Sequence, residues 1–313
     1  MKKITVIVPC FNEQEVLGCF YKEMSRVMDE MSGYAFELLL VNDGSEDDTL
    51  ERMRELAGCD KRVRYLSFSR NFGKEAAIYA GLRNAAGDYV AIMDADLQDP
   101  PALLPKMVRA LTEEGYDSVA TRRVTRKGEP HIRSFFARCF YRLMNKISKV
   151  DMVDGSRDYR LMNRRFVDAL LELCECSRFS KGLFGWVGFR TKWLEFENVE
   201  RAAGETKWSF WKLFSYSIEG IIGFSTVPLA LADCFGCIAL ALGLAAFISL
   251  FFVSSAWLAP MVLLGALLLG SGIMLLCVGI LGQYLARVYL EVKDRPAYVV
   301  GETNLAAIRG AKD

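Results

Sequence analysis

The chain has 313 residues, 52% of them hydrophobic and 25% charged, with a formal net charge of +1. This length allows one large domain or two ordinary ones, and the hydrophobic share is high for a wholly soluble protein. The balanced charge excludes the basic field that recruits nucleic acid. Nine irregularly spaced cysteines favour reduced, packing thiols over a zinc site.

The amino-terminal part alternates apolar runs with helical patterns. Strands are predicted at 4–8, 36–41, 63–68 and 89–93, and helices at 13–31, 47–56 and 74–86. Such alternation is typical of an α/β fold with a mostly parallel sheet, helices on both faces and ligands at the carboxyl ends of the strands. The first strand is followed by Pro9 and Glu13 instead of a Gly-x-Gly-x-x-Gly turn, which excludes a dinucleotide-binding dehydrogenase.

Polar segments follow each of these strands, at 9–13, 42–45, 69–73 and 94–99. Because parallel strands end at one edge of a sheet, the segments are expected to meet in one crevice. Asp94 and Asp96 leave their strand on the same side of the chain, and paired carboxylates suit Mg²⁺ or Mn²⁺ that takes further ligands from a substrate diphosphate. A solvated acidic turn is the alternative for this pair, as a plain turn is for residues 43–45.

A basic amphipathic helix is predicted over about 133–149, where apolar residues recur at helical spacing opposite a basic stripe. The basic face favours a helix that lies on anionic lipid headgroups, and an ordinary surface helix is the alternative. The residues expected at this membrane surface are Arg133, Arg138, Arg142 and Lys146. The aromatic-rich segment 208–225 predicts a second interfacial helix.

Two long apolar runs follow, at 227–253 and 258–286, and Asp233 is their one charged residue. Each exceeds the roughly 20 residues needed to cross a bilayer, so a transmembrane hairpin is predicted, with a pair of buried core helices as the alternative. Lysines and arginines flank the outer ends of the pair, and the linker 254–260 is uncharged. The positive-inside rule therefore places both termini in the cytoplasm.

Several motifs together resemble family 2 glycosyltransferases: Val-Pro-Cys-Phe-Asn-Glu at 8–13, Val-Asn-Asp-Gly-Ser at 41–45, Asp-Ala-Asp-Leu-Gln-Asp-Pro at 94–100 and Arg-x5-Lys at 201–207. Within that family the chain is similar to polyisoprenyl-phosphate glycosyltransferases, such as dolichyl-phosphate mannose synthase and the bactoprenol glucosyltransferases. The resemblance implies a GT-A catalytic domain at 1–207, a juxtamembrane helix at 208–225, the two-helix hairpin at 226–287 and a cytoplasmic tail at 288–313. It also implies a multi-pass protein of the bacterial inner membrane.

The resemblance assigns roles to individual residues. The nucleotide-binding positions that it implies are Pro9, Phe11, Glu13, Val41, Asp43, Asp94 and Ala95. Those implied for the metal are Asp94, Asp96 and Gln98, and those for the diphosphate are Arg122, Arg201 and Lys207. Phe11 stands where family members often have tyrosine, which keeps a stacking ring and removes a hydroxyl.

Asp158 and Asp96 are the positions implied to be catalytic, with Asp158 as the base. A phosphate monoester has a second pKa of about 6 and is already largely ionised at pH 7, so it scarcely needs a base. Asp158 is therefore also open to orienting the acceptor, holding the sugar or steadying Arg160. A helix cap before Leu161 is the structural alternative.

The implied reaction is an inverting transfer of a sugar from a nucleotide-diphosphate sugar to undecaprenyl or another polyisoprenyl phosphate, assisted by Mg²⁺ or Mn²⁺. The product is a lipid-phosphate sugar for modification of a cell-envelope glycan. UDP-glucose is the expected donor, with UDP-N-acetylglucosamine, UDP-galactose and GDP-mannose as alternatives. A processive transferase would carry a Gln-x-x-Arg-Trp motif, which the sequence lacks. A non-catalytic, membrane-anchored scaffold and a homo-oligomer also stay open.

Overall fold

The protein is described by a computed structural model for residues 1–123, 131–148, 150, 152–173, 175, 178–196, 217–218, 220–249 and 258–306. The strands are β1 Lys2–Cys10, β2 Tyr34–Asn42, β3 Val63–Phe68, β4 Tyr89–Ile92, β5 Ser118–Arg123, β6 Ser156–Asn163, β7 Thr191–Phe196 and β8 Val300–Thr303. The helices are α1 Leu17–Glu30, α2 Thr49–Cys59, α3 Lys74–Asn84, α4 Leu104–Thr112, α5 His131–Ile147, α6 Arg164–Glu172, α7 Ser180–Trp186, α8 Val227–Ser249 and α9 Leu258–Lys293.

The strands form one sheet in the order β7-β5-β6-β4-β1-β2-β3-β8. Strands β1 to β4 run parallel, and β5 pairs in parallel with β7. Strand β6 lies antiparallel between β4 and β5, and β8 lies antiparallel against β3. The predicted mostly parallel sheet is therefore confirmed, and the reversed β6 begins at the edge where its parallel neighbours end.

The register between β4 and β6 brings two distant motifs together. Ile92 and Arg160 form the last pair of the β4–β6 ladder, and Asp94 and Asp158 each lie two residues beyond that pair. Both aspartates therefore come to the same edge of the sheet.

Apolar side chains from both faces of the sheet pack beneath helices. Ile4, Val6 and Val8 of β1 pack on one face with residues of α1, α2 and α4, while Ile7 packs on the other with residues of α3, α6 and α7. Helix α3 lies so close to β1 that a Cβ on Gly81 would stand 2.2 Å from Cγ2 of Ile7. This close packing fixes the start of α3 beside the carboxyl edge of the sheet.

Helices α8 and α9 pack against each other as a hairpin. The candidate spans Val227–Ala245 and Val262–Lys293 contain 18-residue windows with mean hydropathies of 2.0 and 2.4, and only 6% and 0% of those windows is buried. Both helices are long and apolar enough to cross a membrane. Exposure of this kind contradicts the alternative of two buried core helices, because core helices cover their apolar faces with protein.

The chain returns from α9 to the sheet. Helix α9 continues to Lys293, seven residues beyond the predicted end at 286, and β8 then adds to the edge of β3. The Tyr298 ring stacks on Phe68 at a centroid distance of 5.1 Å, and the Val299 carbonyl accepts a 3.0 Å hydrogen bond from the Ser69 amide. The segment predicted as a tail thus includes an edge strand that packs on the main sheet.

Candidate active site

Two aspartates and a lysine meet at the carboxyl edge of the sheet. Lys74, the first residue of α3, places its Nζ 2.7 Å from Oδ1 of Asp94 and 2.6 Å from Oδ2 of Asp158. The side chains of Lys74, Asp94 and Asp158 are 34%, 25% and 20% exposed, so a solute can reach them. One ammonium group therefore bridges the end of β4 and the start of β6.

The charges around Asp158 keep it ionised. Burial alone would raise the pKa of its carboxyl, but Lys74, Lys181 and Arg157 outweigh burial and hold that pKa well below its usual range. Burial would likewise lower the pKa of Lys74, and the carboxylates of Asp158 and Asp94 raise it instead. A general base works best with a pKa near the working pH, so this carboxylate is better suited to fixing charge and geometry than to accepting a proton.

Asp158 lies within β6, so the structural alternative, a helix cap, is wrong. The cause is topological, because the strand runs on through Leu161 in the antiparallel ladder with β4. Arg160 lies in a different environment: its guanidinium stands 4.5 Å above the Phe184 ring and donates to Oγ of Ser118 at 2.9 Å. Burial lowers the pKa of Arg160 to about 9, and the negative charge of Asp158 acts in the opposite direction.

The residues after Asp94 form a tight turn around Arg157. The backbone amide of Gln98 donates to Oδ1 of Asp96 at 3.1 Å, and Leu97 between them lies in the left-handed region at φ 57°. Arg157 donates from Nε to Oδ1 of Asp99 at 2.9 Å and from a terminal nitrogen to Oε1 of Gln98 at 3.2 Å. Burial raises the pKa of Asp99 to about 6, and the charge of Arg157 opposes that rise.

The predicted metal ligands fit a hard divalent cation. Asp94 and Asp96 supply carboxylate oxygens at the strand end, the ligands that hard cations prefer. At Asp94 a cation would compete with the Lys74 ammonium group for the same carboxylate. In the structure the Gln98 oxygen faces Arg157. Among the described residues there is no group of three or more His, Cys, Asp or Glu side chains suited to a metal. A cation here would take its other ligands from water or a substrate.

The predicted nucleotide-binding residues differ in accessibility. Pro9, Phe11 and Glu13 are half-buried, whereas Val41 and Ala95 are buried, at 0% and 3% exposure. A ligand at these last two positions would meet backbone atoms rather than side chains.

Asp43 is also buried, at 4% exposure, and its carboxylate holds the neighbouring loop. Oδ1 accepts hydrogen bonds from the Phe72 and Gly73 amides at 2.7 and 3.0 Å. Burial raises the pKa of Asp43, and the two amides and Arg70 oppose that rise. Gly44, at φ 64°, allows Arg70 to approach, because a Cβ there would stand 2.3 Å from the Arg70 carbonyl carbon. Asp43 therefore positions the segment that leads into Lys74.

The predicted diphosphate-binding residues are only partly described. Arg122 lies near the end of β5 at the same edge of the sheet, and its guanidinium pairs with Glu195 of β7. Arg201 and Lys207, with most of the predicted juxtamembrane helix, lie outside the described residues.

Helix α5 confirms that the segment 133–149 is helical, and it ends at Ile147. Arg138, Arg142 and Lys146 are exposed, while Met144 is fully buried against Phe179, Val150 and Met152. The backbone of Arg133 lies in α5, and its side chain is outside the description. The helix thus has one packed face and a basic exposed face.

Sequence reasoning missed Lys74, Arg157 and Lys181. Lys74 directly follows the polar segment 69–73, so the pattern of strand ends could have included it. Arg157 and Lys181 gave no such signal, because the antiparallel entry of β6 and the position of α7 bring them to the edge.

A mostly parallel α/β sheet with carboxylates and cationic side chains gathered at its carboxyl edge is the arrangement of an α/β enzyme that binds its substrate at that edge. The chain belongs to glycosyl transferase family 2, whose family model matches residues 5–171. Bactoprenol glucosyl transferase of Shigella phage SfII is 38% identical over 96% of this chain and 98% of its own length.

Two further relatives cover nearly the whole chain. The prophage bactoprenol glucosyl transferase homolog of Escherichia coli K12 is 37% identical over 95% of this chain and 98% of its own. The uncharacterized glycosyltransferase YkcC of Bacillus subtilis is 41% identical over 95% and 92%. Among solved structures, glucosyl-3-phosphoglycerate synthase of Mycobacterium tuberculosis with Mn²⁺, UDP-glucose and phosphoglyceric acid aligns with a TM-score of 0.49 at 19% identity, over 71% of this chain and 78% of that one.

Proposed function

We propose that the protein transfers glucose from UDP-glucose to undecaprenyl phosphate, with inversion at the anomeric carbon. The observation that carries the proposal is the convergence of Asp94, Lys74 and Asp158 at the sheet edge of a chain that also has an exposed apolar hairpin. The full-length similarity to proteins named bactoprenol glucosyl transferase supports the lipid acceptor and the sugar.

In the proposed reaction an oxygen of the acceptor phosphate forms a bond to the anomeric carbon. The bond from that carbon to the β-phosphate oxygen of the donor breaks, and UDP departs with the electron pair. Mg²⁺ or Mn²⁺ held by Asp94 and Asp96 would supply charge stabilisation for the diphosphate. Attack from the face opposite the leaving group gives inversion.

The described residues contribute orientation and charge. Lys74 fixes Asp94 on the donor side relative to Asp158 on the acceptor side, through bonds of 2.7 and 2.6 Å. Because Asp158 stays ionised, it holds the surrounding ammonium groups in place and needs to take no proton from a phosphate that is already an anion. Positioning of this kind accounts for much of the acceleration of a two-substrate reaction.

The membrane arrangement is part of the proposal. Helices α8 and α9 would form a transmembrane hairpin with both termini in the cytoplasm, and the exposed basic residues of α5 would lie at the headgroups. Contacts near the helix ends support this placement. Ser225, just before α8, donates from Oγ to the Ile147 carbonyl of α5 at 2.9 Å, and Tyr284 of α9 donates to the Ser225 carbonyl at 2.6 Å.

A donor screen tests the proposal. The full chain in nanodiscs receives Mg²⁺ with UDP-glucose, UDP-N-acetylglucosamine, UDP-galactose or GDP-mannose, and nucleotide release is measured with undecaprenyl phosphate or undecaprenol. We expect release with UDP-glucose that depends on the lipid phosphate. Equal release with undecaprenol would contradict the phosphate acceptor, and faster release from another donor would contradict glucose.

A further inference from the structure

Lys181 is a second lysine at the active-site edge. Its ammonium group makes longer contacts with its partners than that of Lys74 does, so it can bind a ligand more readily. Its Nζ lies 3.9 Å from Oδ1 of Asp158 and 3.4 Å from the Ser156 carbonyl. Lys74 instead lies within 3 Å of two carboxylates. An ammonium group has three donors, so contacts as long as those of Lys181 are readily exchanged for an anionic oxygen.

The backbone that carries Lys181 is held firmly. The amide and hydroxyl of Ser180, the preceding residue, both donate to Oε2 of Glu75 on α3. On its other side Gly182 packs so tightly that a Cβ there would stand 2.5 Å from the Phe224 ring. Lys181 is therefore a fixed element of the site, with a side chain that is 25% exposed.

The start of α7, which carries Lys181, packs on helix α5. Phe179, directly before α7, lies in one apolar cluster with Met144 of α5, and Phe140 and Tyr141 of α5 pack against that cluster. The Lys181 ammonium group therefore lies beside Asp158 on a helix that is anchored to α5. An ammonium group donates hydrogen bonds of the kind that phosphate oxygens accept.

The same two helices expose large apolar side chains. Trp186 at the end of α7 is 60% exposed, and Leu143 on α5 is 44% exposed. The end of α5 is hydrogen-bonded to Ser225, at the start of the apolar hairpin. Exposed tryptophan and leucine beside basic residues are typical of surfaces at a membrane interface.

We propose that Lys181 binds the phosphate monoester of the lipid acceptor at the junction of α5 and α7. This assignment rests on the proposed function and names a contact on the acceptor side of the same site. Asp158 would keep Lys181 beside the phosphate, while Lys74 serves the donor-side carboxylate. The ligand class is an isoprenoid phosphate monoester whose chain leaves toward the apolar surface.

The test compares wild type, K181M and K181R with K106M, which removes an exposed lysine from α4 on the opposite face of the sheet. Undecaprenyl phosphate in nanodiscs is titrated at saturating UDP-glucose, and UDP affinity with Mn²⁺ is measured by calorimetry. We expect K181M to raise KM for the lipid phosphate about 10- to 100-fold, the size of one lost charge-assisted hydrogen bond. K181R should recover most of that loss in KM. The Kd for UDP should stay within about twofold of the wild-type value in every variant.

Inorganic phosphate distinguishes the headgroup from the rest of the lipid. Competition by millimolar phosphate that is present in wild type and lost in K181M supports the assignment. Equal competition in both proteins, an unchanged KM in K181M, or a parallel loss of UDP affinity overturns it. An inactive wild type would contradict the proposed function itself, whereas an active wild type with an unaffected K181M contradicts the Lys181 assignment alone.

Discussion

The Lys74→Met variant tests the bridge between the two halves of the site. The change keeps most of the side-chain volume and removes an ammonium group that bonds two carboxylates at 2.7 and 2.6 Å. Each charge-assisted hydrogen bond contributes roughly 1.5–3 kcal/mol, and partial exposure places these two at the lower end of that range. Because both bonds already exist in the free enzyme, their loss acts by misplacing Asp94 and Asp158, and we expect misplacement of this kind to lower kcat/KM by on the order of 100-fold.

The same variant should change the pH dependence. In wild type, Lys74 is the largest influence that opposes burial and lowers the pKa of Asp158. A depressed carboxyl pKa preserves its stabilising charge until the pH falls below the ordinary value of about 4. Without Lys74, burial and the facing Asp94 carboxylate would raise the pKa of Asp158, so the variant should lose activity at a higher pH than wild type.

The assay is glucosyl transfer to undecaprenyl phosphate from pH 5 to 8, with thermal unfolding in detergent as a check on folding. Lys192→Met is the matched control, because Lys192 pairs with a single exposed carboxylate, that of Glu114 on the surface. Lys74→Arg should retain more activity than Lys74→Met. A Lys74→Met protein with wild-type kcat/KM and an unchanged acidic limb would refute the bridging role.

Three further outcomes follow from the structure. Asp43→Asn should lower the free energy of unfolding by about 1 kcal/mol in denaturant titrations, because one buried carboxylate accepts both loop amides. Burial raises the pKa of Asp99 to about 6, so the free energy of unfolding of wild type should fall as the pH rises from about 4 through 6. Asp99→Asn should abolish this pH dependence when melting temperatures are measured across the same range. Tyr298→Ala should remove about 3 kcal/mol of packing and accelerate hydrogen exchange at the Ser69 amide, which bonds to Val299; unchanged exchange would contradict the anchoring of β8.

Local patterns were sufficient to predict most of the parallel core. Strand β3 matches its predicted range of 63–68, and the segment 133–149 forms a helix as its periodicity indicates. The carboxyl ends of parallel strands meet at one edge of a sheet, so the sequence alone is sufficient to place Asp94 at that edge.

Long-range pairing decided the rest. Nothing near Asp158 in the sequence specifies an antiparallel strand, and its position opposite Asp94 depends on the register between β4 and β6. The pattern of strand ends could place Lys74 at the edge, but its role as a bridge between Asp94 and Asp158 depends on the pairing of β4 with β6. Strand β8 likewise follows a long apolar helix, and its pairing with β3 has no local signal.

The most direct test of the central claim is the mass of the lipid product. Purified full-length protein in nanodiscs is incubated with undecaprenyl phosphate, UDP-glucose and Mg²⁺, and the extracted lipid is analysed by mass spectrometry beside Asp96→Ala. We predict undecaprenyl phosphate that carries one added hexose in wild type and little or none in the variant. Unmodified lipid from wild-type protein that binds UDP would contradict the account.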